Sequence, residues 1–151
     1  MNIILASGSP IRKQILEDSG VTFEVIVKPI DEASIKNSMV HEGASNLSIV
    51  SALAELKSIK VSSETPGLVI GADQIMVFEG AIYDKPKTIE EARERLIAVR
   101  NKTHYLIGSV VVSERGVSVW RYNSKVELRV RSFTDKFGSS LKSTNRIKEP
   151  S

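Results

Sequence analysis

The sequence predicts a mixed α/β fold, because short apolar runs of strand type alternate with segments of helical period along the chain. Three observations carry that expectation. Ile3-Ile4-Leu5-Ala6 runs straight into Ser7-Gly8-Ser9-Pro10, which reads as strand, small-residue turn and helix start. Residues 46–61 place Leu47, Val50, Leu53, Ala54 and Val61 on one arc at about 100° per residue. Leu68 to Ile70 is a continuous apolar run, followed by Gly71, Ala72, Asp73 and Gln74 and then by a second apolar run to Phe78.

Composition narrows the class. A chain of 151 residues suits one domain with a sizeable core. Hydrophobic content of 41% and charged content of 26% are ordinary for a globular protein. The net charge of +3 is small and not concentrated in one block, so nucleic acid is not the expected partner. Absence of cysteine excludes disulfides and thiolate metal sites and permits a reducing compartment. The amino terminus shows no basic segment leading into a long apolar one, and no apolar run reaches the roughly 20 residues that span a bilayer. A cytoplasmic protein with no membrane partner is the expectation.

Taken in order, the first strand, Asn2 to Ala6, ends in a turn that offers free backbone N–H groups at a helix start, a favourable place for phosphate. Ser9 is expected to cap that helix and Pro10 to open it, with Ile11, Ile15 and Leu16 as its apolar residues. Arg12, one turn in, can grip phosphate oxygens in a bidentate manner. Val21 to Val27 reads as a strand, then Asp31-Glu32 as an acidic pair, and residues 33–45 as a polar, mobile connection containing a surface His41. Lys57 falls within the apolar arc of the next helix, where an ammonium must snorkel out or meet an anion. Residues 71–74 are expected to form a turn that leaves Asp73 at a strand end. A hairpin around Glu79-Gly80 should follow, then a capping box Thr88-Ile-Glu-Glu91 opening a helix to about Arg100. Thr103 to Ser113 and Val117 to Val130 read as strands joined at Glu114-Arg115-Gly116, with Val126, Leu128 and Val130 on a core face and Trp120 as packing. Residues 138–151 read as a polar, disordered tail, leaving 1–137 as the domain.

Together, Leu5-Ala-Ser-Gly-Ser-Pro-Ile-Arg12, Asp31-Glu32, Lys57, Gly71-Ala-Asp-Gln74, Lys85-Pro86 and the helix at Glu91-Ala92 resemble the Maf family of nucleoside triphosphate pyrophosphatases. The resemblance runs from residue 2 to about Phe137. It implies a mixed, twisted sheet with flanking helices in two lobes around a central nucleotide cleft, and a homodimer. It also implies hydrolysis between the α and β phosphates with a divalent metal, Mg²⁺ or Mn²⁺. Carried onto this chain, Asp73 matches the proton acceptor, and Glu32 with Asp73 the metal ligands. Ser7, Ser9, Arg12, Lys57 and Lys85 would hold the polyphosphate, Ile11 is a further substrate-binding position, and Gln74 can offer a donor and an acceptor to a base edge.

Departures from the family pattern bear on substrate and completeness. Members acting on dTTP and UTP show two arginines after the Ser-Pro and a threonine after the aspartate, where this chain has Ile11-Arg12 and Gln74. The aspartate–glutamine form resembles the subgroup associated with 7-methyl-GTP, so a modified purine nucleotide is the expected substrate. Gly108-Ser109 replaces the family's Thr-Gly, and the glycine-rich segment that usually follows is expected to be missing. A catalytically weak nucleotide-binding protein is the alternative, and a nucleic-acid module a more distant one.

Overall fold

The computed structural model describes residues 1–133. Strand β1 (Ile3–Leu5) leads to Ser9, whose hydroxyl accepts the Arg12 N–H and caps α1 (Pro10–Asp18), with Pro10 in the first turn. Both signals act as expected. The apolar side of α1 does not: Ile11 and Ile15 are exposed, and the helix buries no residue.

Strand β2 is shorter than its apolar run, Glu24–Val25, and pairs parallel with β1. Where a mobile connection was expected stands helix α2 (Glu32–His41). Asp31 caps it by accepting the Ser34 N–H at 3.1 Å. Because α2 buries nothing, it left no apolar period in the sequence. Helix α3 (Asn46–Ser62) starts at its Ser45 cap and buries Ile49, Val50, Leu53, Ala54 and Val61, while Leu47 stays exposed.

Strand β3 (Leu68–Phe78) runs unbroken through residues 71–74, so the expected turn does not form and Asp73 lies within a strand. Gly71 marks a close approach instead of a break. A Cβ there would stand 2.4 Å from the Ala54 carbonyl oxygen and 2.8 Å from Ser58 Cβ. The buried Ser58 hydroxyl donates to the Val69 carbonyl at 2.7 Å, fastening α3 to β3 at the same place.

Strand β4 (Ala81–Tyr83) returns antiparallel on β3 with Met76 opposite Tyr83, closing the expected hairpin. Thr88 caps α4 (Ile89–Ala98) by accepting the Glu91 N–H at 3.0 Å. The Glu91 carboxylate reaches back to the Lys87 N–H, one residue before the cap. Strands β5 (Thr103–Glu114) and β6 (Val117–Arg129) are joined by Arg115 and Gly116, both at positive φ, as a tight hairpin turn demands.

The strand order is β2-β1-β3-β5-β6, with β4 on β3. The described residues divide into two compact units. The first comprises Met1–Gln74 and Ile107–Ser124; the second comprises Ile75–Leu106 and the described residues from Lys125 onward. Ile4, Ala6, Val61 and Val69 form a core cluster of the first, with Ile26 against it. Met76, Phe78 and Val99 form one of the second, with Tyr83, Leu106 and Val130 packed on it.

Strand β6 departs from its pattern. Val130 meets the core as expected, but Val126 and Leu128 are exposed, and Trp120 is 54% exposed instead of packed. Among the described residues β6 ends the strand order and is flanked by β5 alone, so alternation in its sequence does not translate into a buried face. Among those residues no helix is long and apolar enough to cross a membrane. The expected polar tail at 138–151 lies outside the described residues.

Candidate active site

Three lysines, two on α3 and one in the segment before α2, organise the site. The Lys60 ammonium donates to the Pro29 carbonyl, and Lys28 pairs with Glu64 just beyond the helix. These contacts hold the segment before α2 along α3, so that Glu32, in the first turn of α2, reaches inward. Lys57 meets it there: its Nζ lies 2.7 Å from Glu32 Oε1 and 3.2 Å from Asp73 Oδ1. The lysine that looked misplaced in an apolar arc therefore lies between two carboxylates.

Arg12 approaches from α1. Its Nη1 donates to the buried Ser7 hydroxyl at 3.0 Å, and the Ser9 N–H also points to that hydroxyl, at 3.3 Å. Ser7 and Ser9 thus set the turn and hold the guanidinium. Burial pulls the Arg12 pKa down, against the opposing fields of Asp73 and Glu32.

Asp73 is perturbed by its burial. Desolvation pushes its carboxyl above the usual aspartate range, helped by the negative charge of Glu32. Lys57, by charge and hydrogen bond, and Arg12, by charge, pull it back only in part. A carboxylate held this way is more basic than one in water and stays close to two cations. That combination suits proton abstraction beside an anionic substrate.

A cleft of about 180 Å³ opens beside Asp73, lined by Arg12, Ala72, Asp73, Gln74, Gly108, Ser109, Val110, Tyr122 and Ser124. All belong to the first unit. The volume is below the roughly 300–1,000 Å³ of sites that engulf a drug-sized ligand, so this cleft takes a part of a nucleotide.

Of the residues singled out in the sequence, Ser7, Arg12, Glu32, Lys57 and Asp73 come together, and Gln74 lines the cleft. Ile11 is 44% exposed on α1 and does not line it. Lys85 lies in the second unit, exposed in the loop between β4 and α4. The sequence reading missed Tyr122 and Ser124, whose signal was a period-two pair on a strand. Among the described residues no group of three or more His, Cys, Asp or Glu could hold a metal ion. The hard oxygen donors that do converge are the carboxylates of Glu32 and Asp73.

Known proteins resemble this chain in sequence. The chain is 42% identical to the nucleoside triphosphate pyrophosphatase of Caulobacter vibrioides over 133 residues, 88% of this chain and 67% of that protein. It is 41% identical to the protein of that name from Paramagnetospirillum magneticum, covering 89% and 70%, and 39% identical to that of Ruegeria pomeroyi, covering 95% and 72%. A HAM1 protein from Coxiella burnetii shares the fold at a TM-score of 0.53 and 11% identity, over 84% of this chain and 71% of that one. A family model described as Maf-like protein matches residues 2–147, a span that holds every side chain of the site, and the chain belongs to that family.

Proposed function

We propose that the protein is a nucleoside triphosphate pyrophosphatase, a hydrolase of acid anhydrides that converts a nucleoside triphosphate and water to the monophosphate and pyrophosphate. The relatives just described carry that name. The observation that carries the proposal is a desolvated carboxylate, Asp73, with its pKa raised, contacted by Lys57 and within the field of Arg12.

In this reading Asp73 accepts a proton from water as its oxygen attacks the α-phosphorus. The bond from that phosphorus to the bridging oxygen breaks, and pyrophosphate leaves with the electron pair. Arg12 and Lys57 neutralise charge on the phosphate oxygens, and the turn at Ser7–Ser9 orients Arg12.

Glu32 and Asp73 fit a hard divalent cation such as Mg²⁺ or Mn²⁺, which commonly takes one or two carboxylates and completes its shell with water and substrate phosphates. Such an ion would supply charge neutralisation on the polyphosphate. Gln74, at the cleft wall, offers a donor and an acceptor to a base edge, which supports a modified purine nucleotide of the 7-methyl-GTP type.

Pyrophosphate release from a panel of ordinary and methylated nucleoside triphosphates, with Mg²⁺ or Mn²⁺, tests the proposal. Turnover of at least one of them, lost in Asp73→Asn, is expected. Nucleotide binding without any pyrophosphate release would overturn it in favour of a binding protein.

A further inference from the structure

Among the described residues, the large side chains of Trp120 and Tyr122 are exposed, at 54% and 59%. They stand two residues apart on β6, on one face of the strand. Their rings lie 13° from parallel with centroids 6.3 Å apart. The intervening Arg121 turns the other way, onto α3, where it binds Glu55 Oε1 at 2.8 Å and the Ser51 hydroxyl. Asn123 is likewise engaged, accepting the buried Ser109 hydroxyl at 2.7 Å. Arg121 and Asn123 therefore anchor the strand here, while Trp120 and Tyr122 present two flat rings.

Tyr122 lines the cleft that holds Arg12, Asp73 and Gln74. Gly108 also lines that cleft, and a Cβ there would come within 3.2 Å of Ser124 Oγ and 3.7 Å of the Asp73 carbonyl oxygen. One wall of the cleft is thus ionic and another aromatic. A nucleotide has the same division, with an anionic end and a flat end. Exposed aromatic rings beside a cationic groove are how bases are commonly held without base-edge readout.

We infer that Tyr122, backed by Trp120, is the stacking platform for the nucleobase of the substrate. The inference rests on the pyrophosphatase reading for the identity of the ligand, but its geometry stands on β6 alone. Stacking is strongest for extended and electron-poor rings, so purines, and above all those with a positively charged ring, should be favoured over pyrimidines. Tyr122 would then set affinity for the base and leave the polyphosphate grip untouched.

The chain contains one tryptophan, so its fluorescence reports Trp120 directly. Titration with a purine nucleoside monophosphate is expected to quench that emission, and tripolyphosphate alone is expected to bind without quenching it. Tyr122→Ala should weaken purine nucleotide binding roughly tenfold or more. Its affinity for tripolyphosphate should be unchanged, which also shows that the variant folds, and Tyr122→Phe should bind like the parent. Emission that does not respond to nucleotide, as when the pair is covered by a second copy or another protein, overturns the inference. So does Tyr122→Ala binding purine nucleotide as tightly as the parent. The two readings fail separately: quenching without hydrolysis sinks the pyrophosphatase assignment and keeps the platform. Hydrolysis with an unaltered KM in Tyr122→Ala does the reverse.

Discussion

Lys57 Nζ lies 3.2 Å from Asp73 Oδ1, a contact between residues sixteen positions apart, made because Gly71 lets α3 approach β3 to backbone contact. One turn of helix and one strand segment thereby place an ammonium against an acid whose pKa burial has raised. The consequences of that contact can be measured.

Removing the acid should remove the chemistry. Asp73→Asn keeps the shape of the side chain and cannot take a proton from water. Its kcat should fall by about 10²–10⁴, the usual contribution of a general base. Nucleotide affinity, measured by calorimetry, should survive. Substantial residual turnover would point to another base.

The pH profile carries a sign. Burial raises the Asp73 pKa above 3.8, so the acid limb of kcat/KM should lie above the range of an exposed aspartate. Lys57 lowers that pKa, so Lys57→Met should move the limb to higher pH. Stability follows the same linkage: the folded protein holds this proton more tightly than the unfolded chain does. The stabilisation is therefore complete below 3.8 and lost as pH rises through the folded value. The stability difference between Asp73→Asn and the parent, read from thermal melts, should shift in favour of the variant over that window.

Gly71→Ala tests the close approach. The new Cβ would meet the Ala54 carbonyl oxygen at 2.4 Å, a backbone atom that cannot swing aside. Overpacking of this kind costs about 1–3 kcal/mol. Activity should fall by more than the stability loss explains, because α3 carries Lys57 away from Asp73. Ser58→Ala, which deletes the hydrogen bond to Val69 without adding bulk, should lose about 1 kcal/mol and retain more turnover.

Lys57 also stands where a cation bound by Glu32 and Asp73 would compete with it. In Lys57→Met the two carboxylates lose their internal counter-ion. Mn²⁺ should then bind the nucleotide-free protein several-fold more tightly, as followed by electron paramagnetic resonance. Equal affinities in parent and variant would show that these carboxylates are not the metal's ligands.

Much of this site was legible in the sequence because its signals are local. Ser9 and Pro10 start α1 by satisfying, or lacking, backbone donors, and Thr88 does the same for α4. The buried residues of α3 follow a period that sequence displays directly, and Lys57 interrupts it. Those facts marked the candidate residues, and the resemblance to the Maf family nominated the chemistry. What local signals could not supply was set by packing between distant segments. Gly71 looked like a break in a strand and proved to be the point where a helix backbone comes closest, since a glycine can serve either role and only the neighbour decides. Helix α2 buries nothing and so carried no period to detect. Trp120 read as packing because it is large and apolar, and Tyr122 beside it gave no signal of its own. Whether a strand face is covered depends on what lies beside it, and that is a property of the assembled sheet alone.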